Sequence, residues 1–575
     1  MVFPKLKKIP SEKTVTKRFF GLNVTGTAKQ GEFSEMKNCV SDEYPFFSSR
    51  RTKRTLYAET ENARAMISRD ALCYVDDGKF YINGHEVTGL TLTEGEKKLV
   101  PFGNYVLIFP DAKWADTVGG GYGNIENRFA QTAAVTYRLC AADGSEYSGV
   151  TVSPYAPELP SDRGLWLDTG GITPVLKIYS ATDKSWSTVP DTCVKISSAD
   201  IGLGFAVGDD VMIAGVQPVS LAELNGVNRI EYLEEDCLVV RGITDFDGAV
   251  TQNSGLTVKR ELPLFDCCTE SGGRLWCCRY GLDRDGGAVN KIYASRLNDF
   301  RNFLSSDGST SGAYSAPCGG DGAFTAAVSY LGYPVFFREN CLHKVYGSGS
   351  TSFQIQTTFC DGVGKNCGDS AVNVGGKLYY KSRDGVCRYD GSLPVKVSDR
   401  LGDLPGGGTA GTVGNKYYLC ACGKLLVYDV SHDLWTEEDD DISVSSFCRD
   451  GAELYYIDGA DGKIKTVLGS VGEPCEDEIH WWAASRVIGA DVPEGKYISG
   501  VSVNLCADAG SKVALYIRYG SGKWERVCGT VGSGELRTVT LSVRPKKCAC
   551  FRIGIGGVGG CTVTSVSCTV TGAGI

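Results

Sequence analysis

The sequence predicts an all-β protein, and three observations carry that expectation: helix-period apolar segments are nearly absent, glycine is abundant, and a glycine–aromatic motif recurs. The 73 glycines, where average usage gives about 40, sit singly or in pairs between short apolar runs, as turn residues do. Gly375-Gly-Lys-Leu-Tyr-Tyr, Gly414-Asn-Lys-Tyr-Tyr-Leu and Gly451-Ala-Glu-Leu-Tyr-Tyr recur at spacings of 39 and 37. Gly272-Gly-Arg-Leu-Trp-Cys, Gly332-Tyr-Pro-Val-Phe-Phe and Gly78-Lys-Phe-Tyr-Ile are earlier copies of the same pattern. Each puts a turn glycine ahead of a β-prone aromatic run. A second strand follows, as in Gly385-Val-Cys-Arg-Tyr-Asp and Lys424-Leu-Leu-Val-Tyr-Asp. Four short strands about every 40 residues is the sequence habit of a propeller blade, and no blade buries both faces alone.

At 575 residues the chain is too long for one core. The blade pattern occupies 56–128 and 263–470, which predicts a β-propeller there. Residues 129–262 lack the pattern but stay β-rich, and read as an inserted region with an aromatic-centred module around Trp166 and Trp186 and a small barrel over 201–242. From Lys496 the runs lengthen and alternate strictly, as in Val501/Val503/Leu505 and Val513/Leu515/Ile517/Tyr519. One buried face per strand over 476–575 predicts a C-terminal β-sandwich of jelly-roll type.

Charge is unevenly placed. Residues 1–54 hold twelve Lys/Arg against five Asp/Glu, a net +7, which leaves −16 for the rest of a chain whose total is −9. Residues 1–55 therefore read as a basic arm that docks on an acidic surface or on nucleic acid, or else as a solvated tail. Lys5, Lys7, Lys8, Arg50, Arg51, Lys53 and Arg54 are its candidate assembly or polyanion contacts. The acidic run Glu437-Glu-Asp-Asp-Asp and the segment around Pro474 mark the approach to the last domain.

The 24 cysteines sit in strand-like runs, where neighbours such as Cys267-Cys268 and Cys277-Cys278 point to opposite faces and cannot share one zinc. With no CxxC and four histidines, the expectation is reduced, buried thiols and no cofactor. The start, Met-Val-Phe-Pro-Lys-Leu-Lys-Lys, lacks the apolar centre of a signal peptide, and no apolar run approaches the ~18 residues of a membrane span. Synthesis in a cytoplasm follows as the expectation.

Catalytic motifs are missing. There is no Gly-x-Ser-x-Gly elbow, HExxH or P-loop, and the turn from Ser180 to Trp186 lacks the glycine and threonine spacing of sialidase repeats. The chain therefore reads as a non-enzyme, although two carboxylates for glycoside cleavage cannot be selected or excluded among 68 acids. Asp283/Asp285 and Asp458/Asp461 read as Asp-Gly turns or as calcium loops lacking the EF-hand's closing Glu. Trp166, Trp186 and Trp481 are the candidate sugar-stacking residues; a buried Trp481 would instead anchor the last domain.

Several stretches resemble a family of large β proteins encoded in phages and prophages of Firmicutes. The likeness runs through Gly31-Glu-Phe-Ser-Glu-Met-Lys-Asn, Asn290-Lys-Ile-Tyr-Ala-Ser-Arg-Leu-Asn-Asp-Phe, Pro334-Val-Phe-Phe-Arg-Glu-Asn, Tyr379-Tyr-Lys-Ser-Arg-Asp-Gly-Val-Cys-Arg-Tyr-Asp-Gly and Arg544-Pro-Lys-Lys-Cys-Ala-Cys-Phe-Arg-Ile. More distantly the layout is similar to propeller-type tail nozzle (hub) proteins of short-tailed phages. The resemblance implies a noncatalytic virion structural protein of the tail or neck. Its expected partners are other virion proteins such as portal, adaptor or tail components, a homo-oligomeric ring, and passing contact with phage DNA. The competing expectation is a host-surface carbohydrate-binding protein or polysaccharide depolymerase, with a host glycan as partner.

Overall fold

The computed structural model describes residues 11–57, 59–304, 308–489, 495–541, 543 and 546–572. It is all-β, with three short 3-10 turns as its only helical elements among those residues. Of the described residues, one compact unit comprises those within Met1–Leu99, Phe337–Leu342 and Thr358–Ile575, and a second those within Val100–Phe336 and His343–Thr357.

Four-stranded antiparallel sheets, with strands in chain order, recur through the first unit. One is built from Ala63–Ser68, Leu72–Asp76, Lys79–Ile82 and His85–Thr91. Another runs Val372–Val374, Lys377–Ser382, Gly385–Tyr389 and Val395–Lys396, and the next Thr409–Val413, Lys416–Ala421, Lys424–Asp429 and Leu434–Asp439. A fourth set, Val444–Asp450, Glu453–Asp458 and Ile464–Thr466, is completed by Arg54–Leu56, with Glu473–Pro474 on its edge. The aromatic runs are the inner strands, buried on both faces. Tyr418, Leu425 and Val427 pack against Val444, Leu454 and Tyr456, and Tyr455 and Ile457 pack against Met66 and Tyr74.

The second unit contains sheets of the same topology. Lys98–Phe102, Tyr105–Phe109, Lys113–Asp116 and Tyr122–Asn124 form one, and Cys267–Ser271, Arg274–Leu282, Ala288–Ala294 and Tyr314–Pro317 another. Val100, Leu107 and Phe109 share a core with Leu275 and Cys277, and Trp276 and Ile292 share one with Phe324, Phe336 and Val345. Between these sheets in sequence, an eight-stranded sheet is drawn from strands within 127–260, with a separate small sheet over Thr151–Ser153, Leu165–Asp168, Val175–Ser180 and Ser185–Thr188.

The C-terminal strands pair in two sheets that share one core, including Val501, Val503, Leu505, Val513, Leu515, Ile517, Ile553, Ile555 and Val563. One sheet uses Phe33–Lys37 (β1), His480–Ser485 (β2), Lys512–Tyr519 (β3), Trp524–Val531 (β4) and Phe551–Val558 (β5), in the order β1-β2-β5-β3-β4. The other runs Cys39–Val40, Phe47–Ser49, Cys561–Gly572, Lys496–Ala507, Leu536–Leu541, and Ser11–Thr16 also pairs with Cys561–Gly572.

Residues 11–56 are thus not a free arm, which corrects the expected arm over 1–55 and a self-contained sandwich over 476–575. The segment carries Phe19, Leu22, Phe33, Met36 and Phe47, all buried in the shared core. Its backbone is held as well: the Leu22 N–H donates to the Trp435 carbonyl at 2.6 Å. At Gly21, with φ +74°, a Cβ would lie 2.2 Å from that carbonyl oxygen, so only glycine fits this approach. Basic composition pointed to solvent, but apolar burial and strand pairing decide the outcome.

Candidate functional site

Successive residues on a strand face opposite sides of the sheet, and in β2 this separates two tryptophans. Trp481 points inward, is 3% exposed and meets the Phe47 ring edge-on at 6.3 Å. It is a core residue, so of the two readings of Trp481 the stacking alternative is corrected in favour of the buried anchor. Trp482 points outward and is half-buried. Its indole lies across Gly554 and Gly556 of β5, where a Cβ would come within 2.2 and 2.7 Å of ring carbons. The alternation Ile553-Gly554-Ile555-Gly556 therefore sends isoleucine into the core and leaves bare backbone outside for the ring.

Two more aromatics complete this outer face. Trp524 of β4 stands edge-on to Trp482 at 5.0 Å and Tyr516 of β3 at 5.3 Å. Polar groups fix the platform from below. Trp482 Nε1 donates to Glu35 Oε2 at 3.3 Å. Arg552 pairs with Glu35 at 2.9 Å, donates to the Ser485 carbonyl at 3.0 Å and lies 5.5 Å over the Trp524 ring. Beside the platform runs a groove of about 600 Å³ lined by His480, Trp482, Lys512, Tyr516, Arg526 and Gly556. That volume suits a small ligand or a few units of a polymer. The side chains of His480, Lys512 and Arg526 have no hydrogen-bond or ion-pair partner among the described residues, so their donors face the groove free. Aromatic faces and unspent donors side by side stack on a ligand's C–H face and bind its hydroxyls.

The other candidates fare differently. Trp166 is buried, its Nε1 donates to the Ser153 carbonyl at 2.9 Å, and Lys177 Nζ already covers its ring at 4.6 Å. Trp186 is half-buried against Trp166 and Tyr179. Lys5, Lys7 and Lys8 lie outside the described residues. Arg50 grips Glu476 through two guanidinium nitrogens at 2.7 and 2.9 Å, and Lys53, 4% exposed, pairs with Asp439. Both cations are consumed inside the fold, which corrects their expected use as assembly or polyanion contacts. Burial raises the Asp439 and Glu476 carboxyls, but Lys53 and Arg50 outweigh it and both end below the ordinary range. Arg54 donates to the Gly472 carbonyl at 3.1 Å, and Arg51 remains exposed.

The acidic turns are occupied by their own chain. Asp283 Oδ1 accepts from the backbone N–H of Asp285 and Gly287, and Lys465 Nζ bridges Asp458 and Asp461 at 2.6 and 2.7 Å. Among the described residues no group of three His, Cys, Asp or Glu side chains is placed to hold a metal ion. All 24 cysteines are free thiols.

No family model matches the chain, and no curated protein matches it. Solved structures give faint likenesses. An exo-β-1,3-galactanase from Phanerochaete chrysosporium is 8% identical, over 52% of this chain and 94% of its own, at a TM-score of 0.21. The extracellular domain of a putative hybrid two-component system from B. thetaiotaomicron is 9% identical, over 93% and 98%, at 0.21. A family 43 arabinoxylan arabinofuranohydrolase from Bacillus subtilis is 10% identical, over 53% and 95%, at 0.15. The expectation of a noncatalytic virion structural protein is corrected here: the structures found are two carbohydrate hydrolases and the extracellular domain of a putative two-component system, and none of these three is a virion protein. At such TM-scores the likenesses carry no argument about activity, and the reading below rests on the aromatic face alone.

Proposed function

We propose that the chain is a carbohydrate-binding protein that holds a glycan on the outer face of the β1–β5 sheet. In this reading the four-stranded sheets are blades of a propeller-type scaffold and the two C-terminal sheets are a sandwich that presents the binding face. The platform of Trp482, Trp524 and Tyr516 beside a groove of about 600 Å³, which Trp482 and Tyr516 line, is the observation that carries it. A pyranose ring lays its C–H face on an indole, whose π cloud is negative, while its hydroxyls meet Lys512, Arg526 and His480. The role is binding without turnover.

Affinity electrophoresis of the full chain through gels containing neutral and acidic polysaccharides tests the proposal, with a reducing-end assay in parallel. Retardation by at least one polysaccharide is expected. Trp482→Ala and Trp524→Ala each weaken it roughly tenfold or more, in line with loss of about 1.4 kcal/mol or more, and Trp186→Ala leaves it unchanged. Retardation by none of the polymers, or retardation that survives the double variant Trp482→Ala/Trp524→Ala, overturns the assignment. Release of reducing ends would replace binding by hydrolysis.

A further inference from the structure

The acidic run 437–440 lies partly inside the first unit, and its members have different fates. Glu437 pairs with Lys424 at 2.7 Å, Asp439 with Lys53 and Asp440 with Lys37 at 2.6 Å. Glu438 is 3% exposed, and its Oε1 has no hydrogen-bond partner. A buried carboxylate oxygen left bare is costly, and the Glu438 side chain is part of the wall of a cavity. The cavity measures about 500 Å³ and is lined by Glu438, Asp42, Lys416, Tyr418, Arg51 and Arg449, with Val40, Val413, Val467 and Leu468 as an apolar wall.

Its cations are unequally committed. Lys416 is held by Asp42. Arg51 and Arg449 are both exposed and have no carboxylate partner among the described residues; the Arg449 Nε donates only to the Gly451 carbonyl at 3.1 Å. Two free guanidiniums at one cavity invite a carboxylate, which they bind through paired N–H groups. A bare acceptor deeper in the same cavity invites a hydroxyl donor, and the apolar wall suits a C–H face. A phosphate dianion would satisfy the arginines but place its charge against Glu438.

We propose that this cavity is a second binding site, separate from the aromatic face, for a small carboxylate that carries hydroxyl groups, of the class of hexuronic acids. The carboxylate lies at Arg51 and Arg449, and a hydroxyl donates to Glu438.

Isothermal titration of the full chain with glucuronate, glucose, acetate and inorganic phosphate tests it. Glucuronate binds, and the other three bind at least tenfold more weakly. Arg449→Gln and Arg51→Gln, on exposed side chains, each lower glucuronate affinity about tenfold or more. Glu438→Gln keeps an oxygen acceptor and retains binding, whereas Glu438→Leu, checked for fold by near-UV circular dichroism, loses the preference for glucuronate over acetate. Trp482→Ala/Trp524→Ala leaves glucuronate binding intact even where polysaccharide retardation is lost, which separates this site from the first. Absence of glucuronate binding, equal binding of phosphate, or binding indifferent to both arginines overturns the proposal.

Discussion

Replacing Glu438 by Gln removes a charge that the fold holds at a cost. Burial raises the Glu438 carboxyl from the ordinary 4.5 to about 7; Lys416, Arg50 and Lys53 pull it down, and Asp42 pushes it up. Tyr418, two strands away in the same sheet, and Arg449 also line its cavity, and Glu437 and Asp439 flank it on its own strand. Between pH 4.5 and 7 the folded chain keeps a proton that the unfolded chain has released, so this group's contribution to stability falls as pH rises. At about 1.4 kcal/mol per pH unit the full effect is roughly 3 kcal/mol above pH 8, and under about 1 kcal/mol at pH 5. Asp439 and Glu476, held below their ordinary range, act in the opposite sense at lower pH and cancel between parent and variant. Urea unfolding at pH 5 and pH 8.5, followed by tryptophan fluorescence, reads the effect, with Trp435 buried on the same strand. Glu438→Gln is expected to gain roughly 2–3 kcal/mol over the parent at pH 8.5 relative to pH 5. Parallel stability profiles at the two pH values would refute the argument.

Other outcomes follow from the same contacts. Lys53→Met leaves buried Asp439 with only the more distant Arg50, at 3.8 Å, and lowers stability by about 2–3 kcal/mol, whereas Lys53→Met with Asp439→Leu recovers most of the loss, as thermal melts will show. Deleting residues 11–49 removes four strands and the Phe19/Phe33/Phe47 cluster, so the truncated chain is expected in the insoluble fraction; a soluble product with native circular dichroism contradicts the packing. Gly554→Val drives Cβ into the Trp482 ring and is expected to cost polysaccharide retardation more than global stability. Of the 24 thiols only Cys422 and Cys475 are exposed, so about two should react quickly with a thiol reagent in the native chain and 24 after anaerobic denaturation.

The repeating sheets were legible because each needs the same turn in the same place. Gly272, Gly332, Gly375, Gly414 and Gly451 all precede the second strand of their sheet. Gly78 instead precedes a third strand, and a further copy at Gly103, ahead of Tyr105–Phe109, leaves a weaker signal because Val-Leu-Ile-Phe lacks the paired aromatics. The aromatic face was half legible. Adjacent tryptophans in a strand must face opposite ways, but which one meets solvent depends on the partner strand. The signal that decides it was present in Ile553-Gly-Ile-Gly, whose bulk lies on one face and whose space lies on the other. The role of residues 11–56 was not legible, because strand pairings such as Met36 with Ala483 span most of the chain and leave no local pattern. Only the charge excess hinted at it, through Lys37, Arg50 and Lys53 and the acids that receive them.

The pairing of β1 with β2, and of Ser11–Thr16 with Cys561–Gly572, sets an order of events on the ribosome. The strands that receive residues 11–49 are made more than 400 residues later. At about 5–20 residues per second, the early segment waits roughly half a minute or longer with its phenylalanines unburied. Chaperone occupancy of a nascent chain stalled before residue 480 should therefore centre on residues 19–47, and release should coincide with emergence of the last strand. The second unit has no such delay, since its parts lie between 100 and 357 and can close while the remainder is still being translated.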